Sequence, residues 1–167
     1  MRITLVALTL AASLAAVTSA GAAGTELNPN WSAVLPEANT AMLAQQCSRV
    51  SPGPVAGTWT PTAADVAKLE PKLGVLLAEQ LAAADGATRP TAAVYYRQYA
   101  GFVVAGRKII YVNGFDRHDI EQDGNTHHRY DWDNQPMRVC DGGWLAFGVE
   151  YDPATGGFSH FAFNGSL

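Results

Sequence analysis

The sequence predicts an α+β domain, with N-terminal helices packed on one face of an antiparallel sheet of about five strands. Three observations lead there. Apolar residues recur at helical spacing in the first half of the chain and gather in short strand-like runs after Thr91. Turn signals, never a helix, separate those runs, which excludes the βαβ repeats of a parallel nucleotide-binding sheet. The 167 residues are 48% hydrophobic and 16% charged, a composition that supports a packed core and argues against disorder.

The chain opens on an address. Met1-Arg2 supplies one positive charge, Ile3 to Val17 is apolar, and Thr18-x-Ala20 and Ala20-x-Ala22 place small residues at cleavage spacing. This order reads as a secretory signal peptide over 1–23, leaving a single domain over 24–167. The apolar stretch is too short for a stable spanning helix, so no membrane insertion is expected after cleavage. Export implies a periplasmic or secreted location. In that oxidising setting the two cysteines, Cys47 and Cys140, have one pairing open to them, a disulfide. Closing so long a loop contributes about 4–5 kcal/mol in the chain-entropy account. A catalytic role is not expected: Cys140 sits in the strand-like run Met137-Arg138-Val139-Cys140, and a lone nucleophilic cysteine needs a base poised beside it.

Thr25 to Leu35 is polar and extended. Pro36 suits the first turn of a helix, and Ala38, Met42 and Leu43 carry that helix toward Cys47. Ser51-Pro52-Gly53-Pro54 ends it and opens a linker. Thr62 with Asp65 three residues on has the form of a capping box. Val66, Leu69, Leu73, Leu76, Leu77 and Leu81 then make the apolar face of a second helix, which Asp85-Gly86 closes. Pro71 and Gly74 predict a kink near Lys68 to Glu70, or two helices in line. The polar face lacks the basic run of a membrane-surface helix, so the leucines are assigned to packing on a sheet.

Strands follow. Val94 to Val104 and Lys108 to Val112 flank a hairpin turn at Ala105-Gly106, with Gly101 marking a bulge. Met137 to Cys140 and Trp144 to Tyr151 are the third and fourth runs. Asp152-Pro153-Ala154-Thr155-Gly156-Gly157 is a turn in which Pro fixes φ and a glycine supplies positive φ, and Phe158 to Phe163 returns.

Several phrases in the strand half occur together: Tyr95-Tyr96-Arg97-Gln98-Tyr99, Tyr111-Val112-Asn113-Gly114-Phe115, Val139-Cys140-Asp141-Gly142-Gly143, Phe147-Gly148-Val149-Glu150-Tyr151-Asp152 and Phe161-Ala162-Phe163-Asn164-Gly165. Over residues 90–165 the chain resembles a group of small, uncharacterised exported bacterial proteins. The resemblance implies a bacterial periplasmic setting and transfers no catalytic residue.

The net charge of −4 excludes a nucleic-acid binder that works through a basic surface. There is no G-x-S-x-G elbow, and Gly142-Gly143 lacks the spacing and the lysine of a phosphate loop. The first functional reading is therefore a non-enzymatic module that binds another protein, as an inhibitor or immunity-type neutraliser of a cell-envelope enzyme. Its contact surface would be Tyr95, Arg97, Tyr99 and Arg107 with the acidic loop 116–133, because tyrosine and arginine dominate recognition hot spots. The second reading is a small metal-binding protein or hydrolase, with His118, Asp119, Asp123, His127 and His128 as ligands of a divalent metal. Asp119-x-Glu121-x-Asp123-Gly124 imitates the start of a calcium loop, but its twelfth position is Tyr130 and no carboxylate closes the cage. Outside that reading no cofactor is expected. The third reading is a pocket for a small apolar or aromatic ligand between helix and sheet, lined by Trp144 and Phe147. His160, opposite Phe161 on its strand, is read as exposed or hydrogen-bonded.

Overall fold

Two turns build the antiparallel part of the sheet. In the computed structural model, which describes residues 27–50, 52–84, 90–117 and 131–165, Ala105 and Gly106 both take positive φ, 49° and 77°. That conformation matches the twist of a two-residue hairpin, and it joins β3 (Tyr95–Val104) to β4 (Arg107–Asp116). The pair runs in unbroken register from Tyr95 opposite Asp116 to Val104 opposite Arg107. At the second turn the Asp152 carboxylate accepts from the Ala154 and Thr155 amides at 2.8 and 3.3 Å, and Gly156 takes φ 71°. It joins β5 (Ala146–Asp152) to β6 (Gly157–Phe163), and β5 completes the sheet against β4.

Two short strands that the sequence does not mark sit on the other edge of β3. β1 (Ser32–Val34) runs parallel to it, with Ser32 opposite Arg97. β2 (Val55–Trp59) runs antiparallel to the far end. The α+β class stands, with a mostly antiparallel sheet of six strands among the described residues. Met137 to Cys140 is not one of its strands. Side chains hold that segment instead: the Met137 amide donates to Gln98 at 2.9 Å, and the Met137 and Val139 carbonyls accept from Asn113 and Asn164 at 2.8 and 2.6 Å. Gly101 makes no bulge either. A Cβ there would overlap the Trp59 backbone and crowd its indole, so the glycine permits the close approach of β2.

One long helix, α2 (Ala63–Ala83), passes through Pro71 without breaking. Pro71 has no N–H for the Ala67 carbonyl, but the leucine face compensates. Leu69, Leu73, Leu77 and Leu81 pack with Tyr95, Tyr99, Ile110, Val112, Phe147, Val149 and Tyr151. The expected first helix is shorter: α1 (Glu37–Thr40) is one turn, continued as a 3-10 turn over Ala41–Ala44. Leu43 from that turn packs with Leu35, Ala100, Phe102, Ile109 and Tyr111. Residues alternate across a strand, so Ala100, Phe102 and Tyr111 lie on the sheet face opposite Tyr99 and Val112. The helices therefore divide between the two faces and do not share one. Cys47 and Cys140, 93 positions apart, form the expected disulfide with Cα atoms at 5.1 Å. It fastens the end of the α1 segment to the stretch leading into β5. The expected signal peptide over 1–23 lies outside the described residues. Among those described, no helix is long and apolar enough to cross a membrane.

Candidate functional site

Three of the four residues expected to form a recognition surface are inside the protein. Tyr95, Arg97 and Tyr99 are fully buried on the α2 side of β3. Arg97 is satisfied on every nitrogen. Its Nε and Nη2 donate to Glu70 at 2.8 and 3.1 Å, Nη1 to the Tyr95 carbonyl at 2.7 Å, and Nη2 also to the Asn28 carbonyl at 2.8 Å. The Tyr99 hydroxyl donates to Glu70 and the Tyr95 hydroxyl to the Trp144 carbonyl. Burial holds both phenols well above the usual tyrosine range. The expectation of a tyrosine–arginine contact surface is corrected: β3 is a central strand covered on both faces, and Glu70 on α2 supplies the countercharge that lets Arg97 enter. Arg107 alone is exposed, at the sheet end, paired with Asp152 at 3.1 Å.

The expected ligand pocket at Trp144 and Phe147 is corrected as well. Phe147 is fully buried, edge-on to Tyr95 at 5.2 Å and stacked on Phe161 at 5.6 Å, so core side chains fill that space. A cavity of about 330 Å³ does lie between β1 and α2, lined by Val34, Val66 and Glu70 among others. The acid in its described lining, Glu70, already holds Arg97 and Tyr99. The candidate metal ligands His118, Asp119, Asp123, His127 and His128 lie outside the described residues. Among those described, no group of three or more His, Cys, Asp or Glu is placed to hold a metal ion.

The other sheet face carries a different arrangement. A pocket of about 360 Å³ is lined by Ser48, Arg49, Val50, Gly53, Glu150, His160, Phe161 and Ala162. The disulfide at Cys47 anchors the segment that carries Arg49, which follows two residues later and reaches Asn113 on the sheet. Arg49 is only 8% exposed. Its Nη2 donates to Gln46 and Asn113, both at 2.7 Å, and its Nε and Nη1 have no partner. The buried Tyr111 hydroxyl also has none. Gly148 lets these groups converge: a Cβ on it would overlap the Tyr111 hydroxyl and stand 3.1 Å from Arg49 Nε.

Burial pushes the Tyr111 hydroxyl up to about 12, with Arg49 opposing and Glu150 adding to the shift, so at neutral pH it keeps its proton. Burial lowers the Arg49 guanidinium, against an opposing contribution from Tyr111. Unpaired buried donors are costly, and here two of them belong to Arg49, which lines the pocket, with the Tyr111 hydroxyl buried behind it.

At the other end stands a carboxylate–imidazole pair. Glu150 is 4% exposed and its Oε2 lies 3.0 Å from His160 Nδ1. His160 takes φ 54°, an uncommon conformation for a residue with a side chain. The cause is local. The β5–β6 register shifts between Gly148 and Glu150, and this bulge turns His160 toward Glu150. The imidazole remains two-thirds exposed. Val50, 99% exposed, stands at the rim, and Phe161 and Ala162 supply apolar wall.

Arg49, Tyr111 and Glu150 were not singled out together from sequence. The usable signal was an arginine two residues after a disulfide cysteine, together with one acid inside the apolar run Phe147 to Tyr151. Comparisons with protein-family models, curated proteins and solved structures yield no match.

Proposed function

We propose that this is an exported, non-enzymatic binding protein whose ligand is a small molecule seated in the Arg49–Glu150–His160 pocket. The observation that carries the reading is Arg49: a guanidinium nine-tenths buried, lining the pocket, with two nitrogens unpartnered. A cation in that position gains most from an anionic group that enters beside it. The pocket volume falls at the lower end of the range of about 300–1,000 Å³ typical of small-molecule sites. Periplasmic or secreted placement is part of the proposal, supported by a disulfide that fits an oxidising compartment. Recognition of a partner protein through Tyr95, Arg97 and Tyr99 is set aside, because those residues are core.

The test is an NMR titration of the oxidised protein with a library of small acids, amines and neutral fragments. Binders are expected to move the amides of Ser48, Arg49, Glu150 and Ala162. Arg49→Met is expected to weaken the best binder at least tenfold, with Arg49→Lys intermediate. Binders that map elsewhere, or a library that leaves this pocket unmoved, would overturn the reading.

A further inference from the structure

We infer that the pocket selects a zwitterionic ligand, a free α-amino acid with an apolar side chain. The inference rests on the pocket reading above and adds its chemistry. One wall offers donors and a positive charge: Arg49 lines the pocket, and its buried Nε and Nη1 are without a partner. These fit a carboxylate, which accepts from several donors at once. The opposite charge comes from Glu150, buried to 4% exposure and lining the same pocket. A dianion such as phosphate would gain from Arg49 and lose against Glu150, and in a poorly solvated pocket that repulsion is weakly screened. A neutral hydrocarbon would leave the Arg49 donors as they are. A ligand with a carboxylate and a neighbouring ammonium meets both charges.

The remaining lining sets the side chain. Val50, Gly53, Phe161 and Ala162 are without charge, and Val50 projects almost wholly into solvent at the rim, where a ligand side chain would cover it. His160 belongs to the recognition set through Glu150. Its Nδ1 lies 3.0 Å from Oε2 and fixes the carboxylate's orientation, and the left-handed backbone at His160 is the feature that puts the ring there. His160 is thus a positioning residue.

The experiment is calorimetry on the oxidised protein with four probes of one shape: leucine, 4-methylpentanoate, isoamylamine and 4-methylpentan-1-ol. Leucine is expected to bind at least tenfold tighter than 4-methylpentanoate, and the amine and the alcohol weakest. Arg49→Met should abolish leucine binding. Glu150→Gln should bring leucine to the level of 4-methylpentanoate while leaving 4-methylpentanoate unweakened, a split that a merely structural role for Glu150 would not give. If the alcohol binds as well as leucine, or the plain acid binds better, the zwitterion inference fails while the pocket reading stands. If none of the four binds and the fragment titration also leaves the pocket unmoved, both fail together.

Discussion

Among the described residues two arginines are buried, one on each face of the same sheet, and they are treated in opposite ways. Arg97, under α2, has every nitrogen engaged, by Glu70, Tyr99 and two backbone carbonyls. It ties together the N-terminal segment at Asn28, the helix at Glu70 and the central strand. Arg49, on the far face, uses one nitrogen and leaves two. A fully paired buried charge belongs to the architecture. One left half-paired at the wall of a pocket is open to a ligand. The residue type is the same, so the difference lies in whether the fold supplies the partners.

Substitution should separate them. Arg97→Met leaves the Glu70 carboxylate without its cation in a largely dry site, a loss on the order of 3–5 kcal/mol. A fall of that size in the urea-unfolding free energy is expected. Arg49→Met removes a charge with no ion-pair partner among the described residues, and the lost bonds to Gln46 and Asn113 are offset by that relief. Its stability is expected within about 1 kcal/mol of the parent. Equal destabilisation by the two would break the contrast and make Arg49 a structural residue.

Cutting the disulfide acts on one arginine only. Cys47 lies two residues before Arg49, whereas Arg97 is held by elements that the bridge does not touch. The double variant Cys47→Ser, Cys140→Ser is expected to lose about 2–5 kcal/mol and to lose ligand binding, as the 45–50 segment no longer presses Arg49 onto the sheet. Unfolding by urea and the NMR titration check the two parts. Retained binding in the double variant would mean that Arg49 is placed by Gln46 and Asn113 alone.

The contrast also marks where sequence reasoning stopped. Local signals were legible: the Thr62–Asp65 box, the Ala105-Gly106 hairpin, the Asp152 turn and the single cysteine pairing all depend on neighbours or on counting. The pattern around Arg97 reads as surface because its anion, Glu70, is 27 residues away on an element whose docking no local pattern states. β1 and β2 leave no mark in the sequence because they are short and lack alternation, and they form by pairing with β3. Met137 to Cys140 has strand composition but finds side-chain partners in place of a ladder. Arg49 sits in what reads as the tail of a helix before a linker, and only the return of the chain through Cys47 gives it a site.

Two glycines offer a smaller test of the same opposition. A Cβ on Gly114 would overlap the Phe147 ring in the α2-side core, and one on Gly148 would overlap the Tyr111 hydroxyl beside Arg49. Each alanine substitution is expected to cost about 1–3 kcal/mol through overpacking. They should differ in function. Gly114→Ala changes stability with ligand affinity nearly unchanged in the folded protein. Gly148→Ala displaces Tyr111 and Arg49 and weakens binding at least tenfold. Comparable affinity in both variants would show that the Arg49 end of the pocket takes no part.

The smallest effect belongs to a network in which neither arginine takes part. At the start of α2 the Thr62 amide and hydroxyl donate to the Asp65 carboxylate at 3.0 and 2.7 Å, and the Asp65 amide donates back to the hydroxyl at 3.2 Å. The bonds from Thr62 hold the Asp65 carboxyl below its ordinary value of 3.8. A carboxyl depressed in the folded state stabilises it above the unfolded value, and that contribution fades as pH falls through the folded one. Because the box is exposed, its whole worth is about 1 kcal/mol or less. The urea midpoint should therefore drop slightly more between pH 5 and pH 2 in the parent than in Asp65→Asn. The same increment is expected in Arg49→Met, since the capping box senses neither the pocket nor its cation. A larger increment in one background than in the other would show that α2 and the far face of the sheet are coupled.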